Sequence, residues 1–187
     1  NETQNIQQAL HAGDIDAAII ASKLEDTFLK EETLFYETFF GYVSCKEPLF
    51  KHDVIRTSDI TGERLWLLDE GHCFRDQLVR FCQMETVKVN QMAYHLGSME
   101  TFMRMVESGK GITFIPELAV SQLNEEQKKL VRPFAIPRPT RQIVLATNRD
   151  FIRHSLLNVL KKRYWQQYQE CNPAIHSVLA VILFIPA

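Results

Sequence analysis

A helix followed directly by an apolar strand, over residues 98–116, constrains the fold of this chain most. Ser98 is a typical helix-capping residue. Apolar side chains then recur at the intervals of one helix face, at Met99, Phe102, Met103 and Val106. Gly109-Lys110-Gly111 ends the predicted helix, residues 112–115 are a buried strand, and Pro116 stops it. A helix joined to a buried strand is the building unit of α/β folds.

The same alternation runs through most of the chain. The periodicity predicts helices over residues 3–13 and 152–164 and strands over residues 17–21, 34–45 and 142–147. We expect Thr3 to cap the first helix and Gly41 to be a hinge or crossing point of the chain. Strands that alternate with helices favour an α/β fold with a mainly parallel sheet.

A second strand–turn–helix stretch carries two cysteines. It begins as a strand at Leu65–Leu68, turns at Gly71 and continues as a helix. Cys73 lies at the start of that helix, where the helix dipole and unpaired N–H groups favour a thiolate, the reactive form. His72 and Arg75 add positive charge nearby. Opposing negative charge comes from Asp69, Glu70 and Asp76. The alternative is an inert buried cysteine.

The second cysteine, Cys82, follows nine positions after Cys73. Nine positions of ideal helix advance the chain by about 13 Å. A disulfide requires Cα atoms within roughly 7 Å, so the helical form cannot hold this bridge. If the bridge forms, the helix must melt or shift, which is the physical basis of a redox switch.

Composition limits the class of protein. The chain has 187 residues, of which 45% are hydrophobic and 24% charged, as in a globular protein. Its net charge is −2, so it lacks the excess of positive charge that marks nucleic-acid binders. The four cysteines, including Cys45 and Cys171, are too scattered for a disulfide scaffold and fit a reducing cytosol. We expect Cys45 to be a small core residue. His72 and Cys73 supply only two adjacent ligands, so we expect no metal and no cofactor.

The run Gly71-His72-Cys73-Phe74-Arg75-Asp76-Gln77, followed by Phe81-Cys82, resembles the peroxide-sensing segment found among LysR-type transcription regulators. Similarity to the effector domain of that family extends over residues 3–20, 40–43, 98–116 and 141–146. The resemblance implies two Rossmann-like subdomains of the type-II periplasmic binding protein-like fold. Residues 1–41 and 141–170 would form the first subdomain, which is incomplete, and residues 42–140 the second.

The same resemblance implies the roles of individual residues. Cys73 would be the peroxidatic cysteine and Cys82 the resolving one. The peroxide environment would consist of Thr3, His72, Arg75, Asp76 and Arg141. The family further implies a cytoplasmic transcription activator of the oxidative stress response rather than an enzyme. It would assemble as a dimer or tetramer, be reset by a thioredoxin- or glutaredoxin-type reductant, and bind DNA only through an N-terminal domain absent from this chain.

Two other functions remain open from the sequence. A LysR-type domain could instead bind a small organic effector in the cleft between its subdomains. A thiol peroxidase is disfavoured, because the residues around Cys73 lack the Pro-x-x-x-Thr-x-x-Cys pattern of peroxiredoxins. Residues 171–187 form an atypical apolar tail, which is too short to span a membrane and reads as a core strand, a core helix or the product of a disrupted reading frame. We assign it no function. Because the chain begins at Asn1 and its first helix follows no strand, we expect a truncated fragment.

Overall fold

The structure is a computed structural model. It describes residues 2–21, 24, 26–67, 77, 80, 81, 98–169 and 180–183, and the side chains within these ranges from residue 3 to residue 164. The chain divides into two compact units, one made of Asn1–Glu37 and Arg141–Ala187 and the other of Thr38–Thr140. The sequence analysis placed the corresponding limits at residues 41 and 141.

Helices and strands alternate along most of the chain. The helices are α1 (Glu2–Ala12), α2 (Met99–Glu107), α3 (Glu117–Val120), α4 (Glu125–Lys128) and α5 (His154–Gln169). The strands are β1 (Ala17–Ile20), β2 (Leu29–Val43), β3 (Ile112–Pro116), β4 (Val131–Pro133), β5 (Thr140–Asn148) and β6 (Ala180–Leu183). Three short 3-10 turns connect β2 to residue 65.

The first unit is a sheet with a helix on each face. Its strand order is β2–β5–β1–β6, and β1 runs antiparallel to both of its neighbours. Because β1 is buried on both faces, all four of its residues are apolar. Ala18 and Ile20 share a core with α1, whereas Ala17 and Ile19 share one with Leu157 of α5. Both helices are therefore held by the same short strand.

The second unit is built around the end of β2. There β2 pairs antiparallel with β3 on one side and with β4 on the other. Its α2 begins as predicted, because the Ser98 hydroxyl accepts a hydrogen bond from the Thr101 amide at 3.2 Å. The side chains of Phe102 and Val106 are buried, as the periodicity predicted. The helix–glycine–strand prediction over residues 98–116 is confirmed.

Three expectations are wrong. The predicted mainly parallel sheet does not hold for β1, β3, β4 and β6, which pair antiparallel; two single bridges, Ile55–Phe134 and Leu65–Ile112, are parallel. Alternation of helices and strands does not determine whether neighbouring strands are parallel here, because β3 and β4 both run antiparallel to the same long strand, β2. Thr3 lies inside α1 and does not cap it, since the helix begins at Glu2. Cys45 is exposed, because β2 ends at Val43 and Cys45 lies in the turn beyond it.

Candidate redox site

The residues that carry the predicted chemistry fall mostly outside the described ranges. This applies to the two cysteines, Cys73 and Cys82, and to His72, Arg75 and Asp76. Between the cysteines, Gln77, Arg80 and Phe81 are described and are helical. The predicted strand over residues 65–68 is not found in its described part, residues 65–67, where Leu65 forms only a single bridge to Ile112. The described geometry therefore concerns residues 65–67, which lead into this segment, and the two predicted site residues in the first unit, Thr3 and Arg141.

Trp66, which precedes the cysteine segment, forms three hydrogen bonds with residues at and just before the start of β3. Its amide donates to the Ile112 carbonyl at 2.8 Å, and its indole Nε1 donates to the Lys110 carbonyl at 2.9 Å. The Trp66 carbonyl accepts from the Thr113 hydroxyl at 3.0 Å. Three hydrogen bonds thus tie Trp66 to the start of β3. They fix the backbone immediately before the segment that contains Cys73.

Gly111 allows this close approach. Its φ is +71°, a conformation that L side chains rarely adopt, and a Cβ there would lie 2.5 Å from the Trp66 Nε1 and 2.5 Å from the Arg64 carbonyl oxygen. The glycine that the sequence analysis assigned to ending α2 therefore also makes room for the tryptophan. No sequence pattern indicated this second role.

Thr3 is half-buried on the first turn of α1, in the first unit. Arg141 lies near the start of β5, also in the first unit, and its side chain is 9% exposed. The Arg141 Nε and Nη2 atoms both contact the Glu37 Oε2 atom, at 2.7 Å and 2.6 Å. The Glu37 side chain is only 1% exposed. The predicted site arginine is therefore one half of a buried ion pair.

The sequence analysis did not single out Glu37, although the strand pattern contained a signal. Along β2 the buried side chains alternate at Phe35, Glu37 and Phe39. A carboxylate at an inward position of such a strand requires a cation or several hydrogen bonds, because an isolated buried charge is costly. Alternation around Glu37 thus predicts a buried partner, and Arg141 is that partner.

Tyr164 of α5 lies close to this ion pair. Burial raises the pKa of the Tyr164 hydroxyl, the Glu37 carboxylate raises it further, and the Arg141 guanidinium opposes the shift. The Tyr164 ring stacks on Phe35 with the ring centroids 6.3 Å apart. Because Phe35 and Glu37 share one face of β2, Tyr164 covers the face of the strand on which the ion pair lies.

The described residues contain neither a metal-binding cluster nor a membrane-spanning helix. No three His, Cys, Asp or Glu side chains in those ranges are grouped so that they could hold a metal ion. No helix in the described part of the chain is long and apolar enough to cross a membrane.

Comparison with known proteins defines the class. Residues 1–167 match the LysR substrate binding domain family, and the chain belongs to that family. A curated relative, the hydrogen peroxide-inducible genes activator of Haemophilus influenzae, is 34% identical over 146 residues, which cover 77% of this chain and 48% of the relative. The chain spans about half the length of the curated relatives it matches.

Two solved structures are similar to this chain. The crystal structure of OxyR from Porphyromonas gingivalis is 53% identical with a TM-score of 0.76, covering 92% of this chain and 76% of that one. The reduced form of the OxyR regulatory domain from Pseudomonas aeruginosa is 30% identical with a TM-score of 0.76, covering 88% of this chain and 77% of that one. The predicted LysR effector-binding fold is confirmed.

Proposed function

We propose that this chain is the peroxide-sensing regulatory domain of a LysR-type transcription regulator. The observation that carries the proposal is the run from Gly71 to Cys82, with its two cysteines, within a chain that belongs to the LysR substrate-binding domain family. The names of the relatives support it, since several are called hydrogen peroxide-inducible genes activators. An organic effector as the signal would leave the paired cysteines without a role.

The proposed chemistry needs only the two thiols and hydrogen peroxide. The Cys73 thiolate attacks one peroxide oxygen, the O–O bond breaks, and the hydroxide that leaves takes up a proton to become water. The Cys82 thiol then displaces the hydroxyl of the Cys73 sulfenic acid as a second water and closes the disulfide. Two thiols are oxidised and one peroxide is reduced to two waters. Thiol–disulfide exchange with a small reductant protein, of the thioredoxin or glutaredoxin type, resets the pair.

The neighbouring residues have electrostatic roles in this proposal. Arg75 and His72 stabilise the thiolate and the departing hydroxide, and Asp76 flanks the reactive thiol. Thr3 and Arg141 complete the peroxide environment. A preorganised charge acts on the reaction only if its position is fixed, which makes the contacts of Arg141 relevant to the chemistry.

The assignment of the two units is part of the same proposal. The unit of residues 1–37 and 141–187 corresponds to regulatory subdomain I, and the unit of residues 38–140 to regulatory subdomain II with the redox cysteines. The whole regulator assembles as a dimer or tetramer, acts in the cytoplasm as an activator rather than as an enzyme, and contacts DNA through a domain outside this chain.

Thiol trapping and mass spectrometry after mild peroxide treatment test the proposal. We expect a disulfide between Cys73 and Cys82 within the monomer. Cys73→Ser should block oxidation, and Cys82→Ser should stop at a trappable sulfenic acid. Cys45→Ser and Cys171→Ser are matched controls, because they remove a thiol from the same chain, and both should oxidise like the parent.

Two outcomes would contradict this function. One is a parent protein whose thiols at Cys73 and Cys82 survive peroxide. The other is rapid, continuous peroxide consumption in the presence of excess reductant, which would indicate a peroxidase rather than a sensor. A titration with small organic acids, followed by thermal unfolding, separates the effector-binding alternative, since a specific ligand stabilises the folded state.

A further inference from the structure

The sheet of the first unit ends in two edge strands, β2 on one side and β6 on the other. An edge strand presents a row of N–H and C=O groups that no neighbouring strand binds, so a further strand can be added there. Within the described part of the chain, β6 pairs with β1 alone. The edge of β6 that faces away from β1 is therefore open.

The two edge strands differ in charge. Natural sheets keep their edges from pairing with other chains by placing charged residues on them, lysine above all. The first-unit part of β2 carries three such residues in a row, Lys30, Glu31 and Glu32. In contrast, β6 consists of four apolar residues, Ala180–Leu183, and has no charge. The edge at β2 thus has this protection against strand pairing, and the edge at β6 lacks it.

The open edge of β6 is suited to pair with its own counterpart. Two identical strands related by a two-fold axis perpendicular to the sheet run antiparallel, and each presents the same edge to the other. One contact then satisfies both open edges, and no second sequence is needed. Because β6 has no charged residue, like charges do not face each other across such a pair.

We infer that the open edge of β6 is an interaction surface and that it binds β6 of a second copy of this chain. The pairing joins the sheets of two first units in the order β2–β5–β1–β6–β6–β1–β5–β2. Each copy contributes the backbone of Ala180–Leu183. A contact this short gives a weak dimer, because association must first offset the loss of translational and rotational freedom. The inference goes beyond the proposed function and does not depend on the two cysteines.

N-methylation of single amides in β6 tests the inference without changing any side chain. Successive amides of a strand point to opposite edges, so one of the Val181 and Ile182 amides points toward β1 and the other toward the open edge. Cys171 allows both variants to be made by ligating a synthetic peptide of residues 171–187 to the rest of the chain. A methyl group on the outward amide removes a donor and blocks the open edge, and it leaves the pairing with β1 intact.

Analytical ultracentrifugation measures the dissociation constant of the dimer, and hydrogen exchange over residues 17–20 reports whether β6 still pairs with β1. For one N-methyl variant we expect a dissociation constant at least about tenfold above that of the parent, with unchanged exchange in β1. The other variant is the matched control, since it carries the same methyl group one residue away, and it should show faster exchange in β1. In the parent, exchange over residues 180–183 should slow as the protein concentration rises, because the dimer becomes more populated.

Several results would overturn the inference. A parent chain that stays monomeric over about a hundredfold range of concentration is one, and a dimer that is equally stable in both N-methyl variants is another. Growth into open-ended aggregates would mean that the contact is not two-fold symmetric. If the variants do not fold, shortened chains replace them: a chain that ends at residue 183 should dimerise like the parent, and an equally stable dimer of a chain that ends at residue 179 would place the contact elsewhere. None of these results bears on the proposed function, which depends on the oxidation of Cys73 and Cys82.

Discussion

At the scale of single residues, a methyl group of Ile55 leaves no room for a side chain at Gly41. A Cβ at this position of β2 would lie 2.5 Å from the Ile55 Cδ1 atom. Ile55 is fully buried in the core of the second unit, so its side chain cannot move aside into solvent. Gly41 is therefore required by packing. The sequence analysis suggested a hinge or crossing point here, whereas the chain passes between its units after Glu37.

Gly41→Ala should destabilise the protein by about 1–3 kcal/mol, the usual cost of overpacking a core. Ile55→Val removes the atom that the new methyl group would meet, at a cost of its own of about 0.5–1.5 kcal/mol. We therefore expect the double variant to be more stable than the sum of the two single effects predicts. Denaturant unfolding of the four proteins measures this. Strict additivity would show that the contact with Ile55 is not what excludes alanine.

At the scale of elements, Tyr42 links β2 to two helices. Its hydroxyl donates to the Glu107 Oε1 atom of α2 at 3.0 Å, and the Gln127 Nε2 atom of α4 donates to the same oxygen at 2.8 Å. Arg104 contacts the other oxygen of Glu107 at 3.3 Å. Tyr42 itself is fully buried. The Glu107 carboxylate of α2 thus connects this helix by hydrogen bonds to β2 and to α4.

This link makes stability depend on pH in the alkaline range. Burial, followed by the hydrogen bond and the charge of Glu107, raises the pKa of Tyr42 above its usual value of about 10. Below pH 10 the hydroxyl is protonated in both states, and its stabilisation is fully present. Above pH 10 the unfolded chain ionises at Tyr42 and the folded chain does not, so this stabilisation is lost as the pH rises.

Tyr42→Phe should lower the free energy of unfolding at pH 8 by about 1 kcal/mol, the typical worth of one hydrogen bond. The difference between parent and variant should shrink at pH 10.5, because phenylalanine does not ionise. Tyr36→Phe is the control, since Tyr36 is an exposed tyrosine of the same strand. A difference that stayed constant between the two pH values would mean that Tyr42 ionises equally well in both states.

Features set by neighbouring residues could be predicted from the sequence, whereas contacts between residues far apart in the chain could not. The cap at Ser98 and the apolar face of α2 follow from neighbouring residues, so the sequence was sufficient. The ion pair of Glu37 and Arg141 joins residues 104 positions apart, which no local pattern specifies. The antiparallel direction of β3 and β4 likewise comes from their pairing with β2, which is far from them in the sequence. The predicted roles of Cys73 and Cys82 came from family resemblance and stay predictions.

At the scale of the whole molecule, the last strand completes the sheet of the first unit. The sequence analysis left residues 171–187 open between a core strand, a core helix and the product of a disrupted reading frame, and gave them no function. In the structure, Ala180–Leu183 form β6, which pairs antiparallel with β1 over its whole length. Without β6, the N–H and C=O groups on one side of β1 would form the edge of the sheet.

A chain that ends at residue 179 should therefore show faster hydrogen exchange over residues 17–20. The increase should be confined to the amides that donate to β6, because β5 still pairs with β1 on its other side. A chain that ends at residue 183 retains β6 and is the matched control. Equal protection of β1 in the two shortened chains would contradict the pairing with β6.

The division of the chain also determines the order in which its parts can fold during synthesis. The second unit is one uninterrupted run, Thr38–Thr140, so its described strands, β3, β4 and the end of β2, are all synthesised before Arg141. The first unit begins earlier but finishes later: α1 and β1 emerge first, yet the strand that pairs with β1, β5, is made only after the second unit is complete. The apolar side chains of Ile6, Leu10 and β1 are therefore made before β5, the strand that pairs with β1 and shares their core.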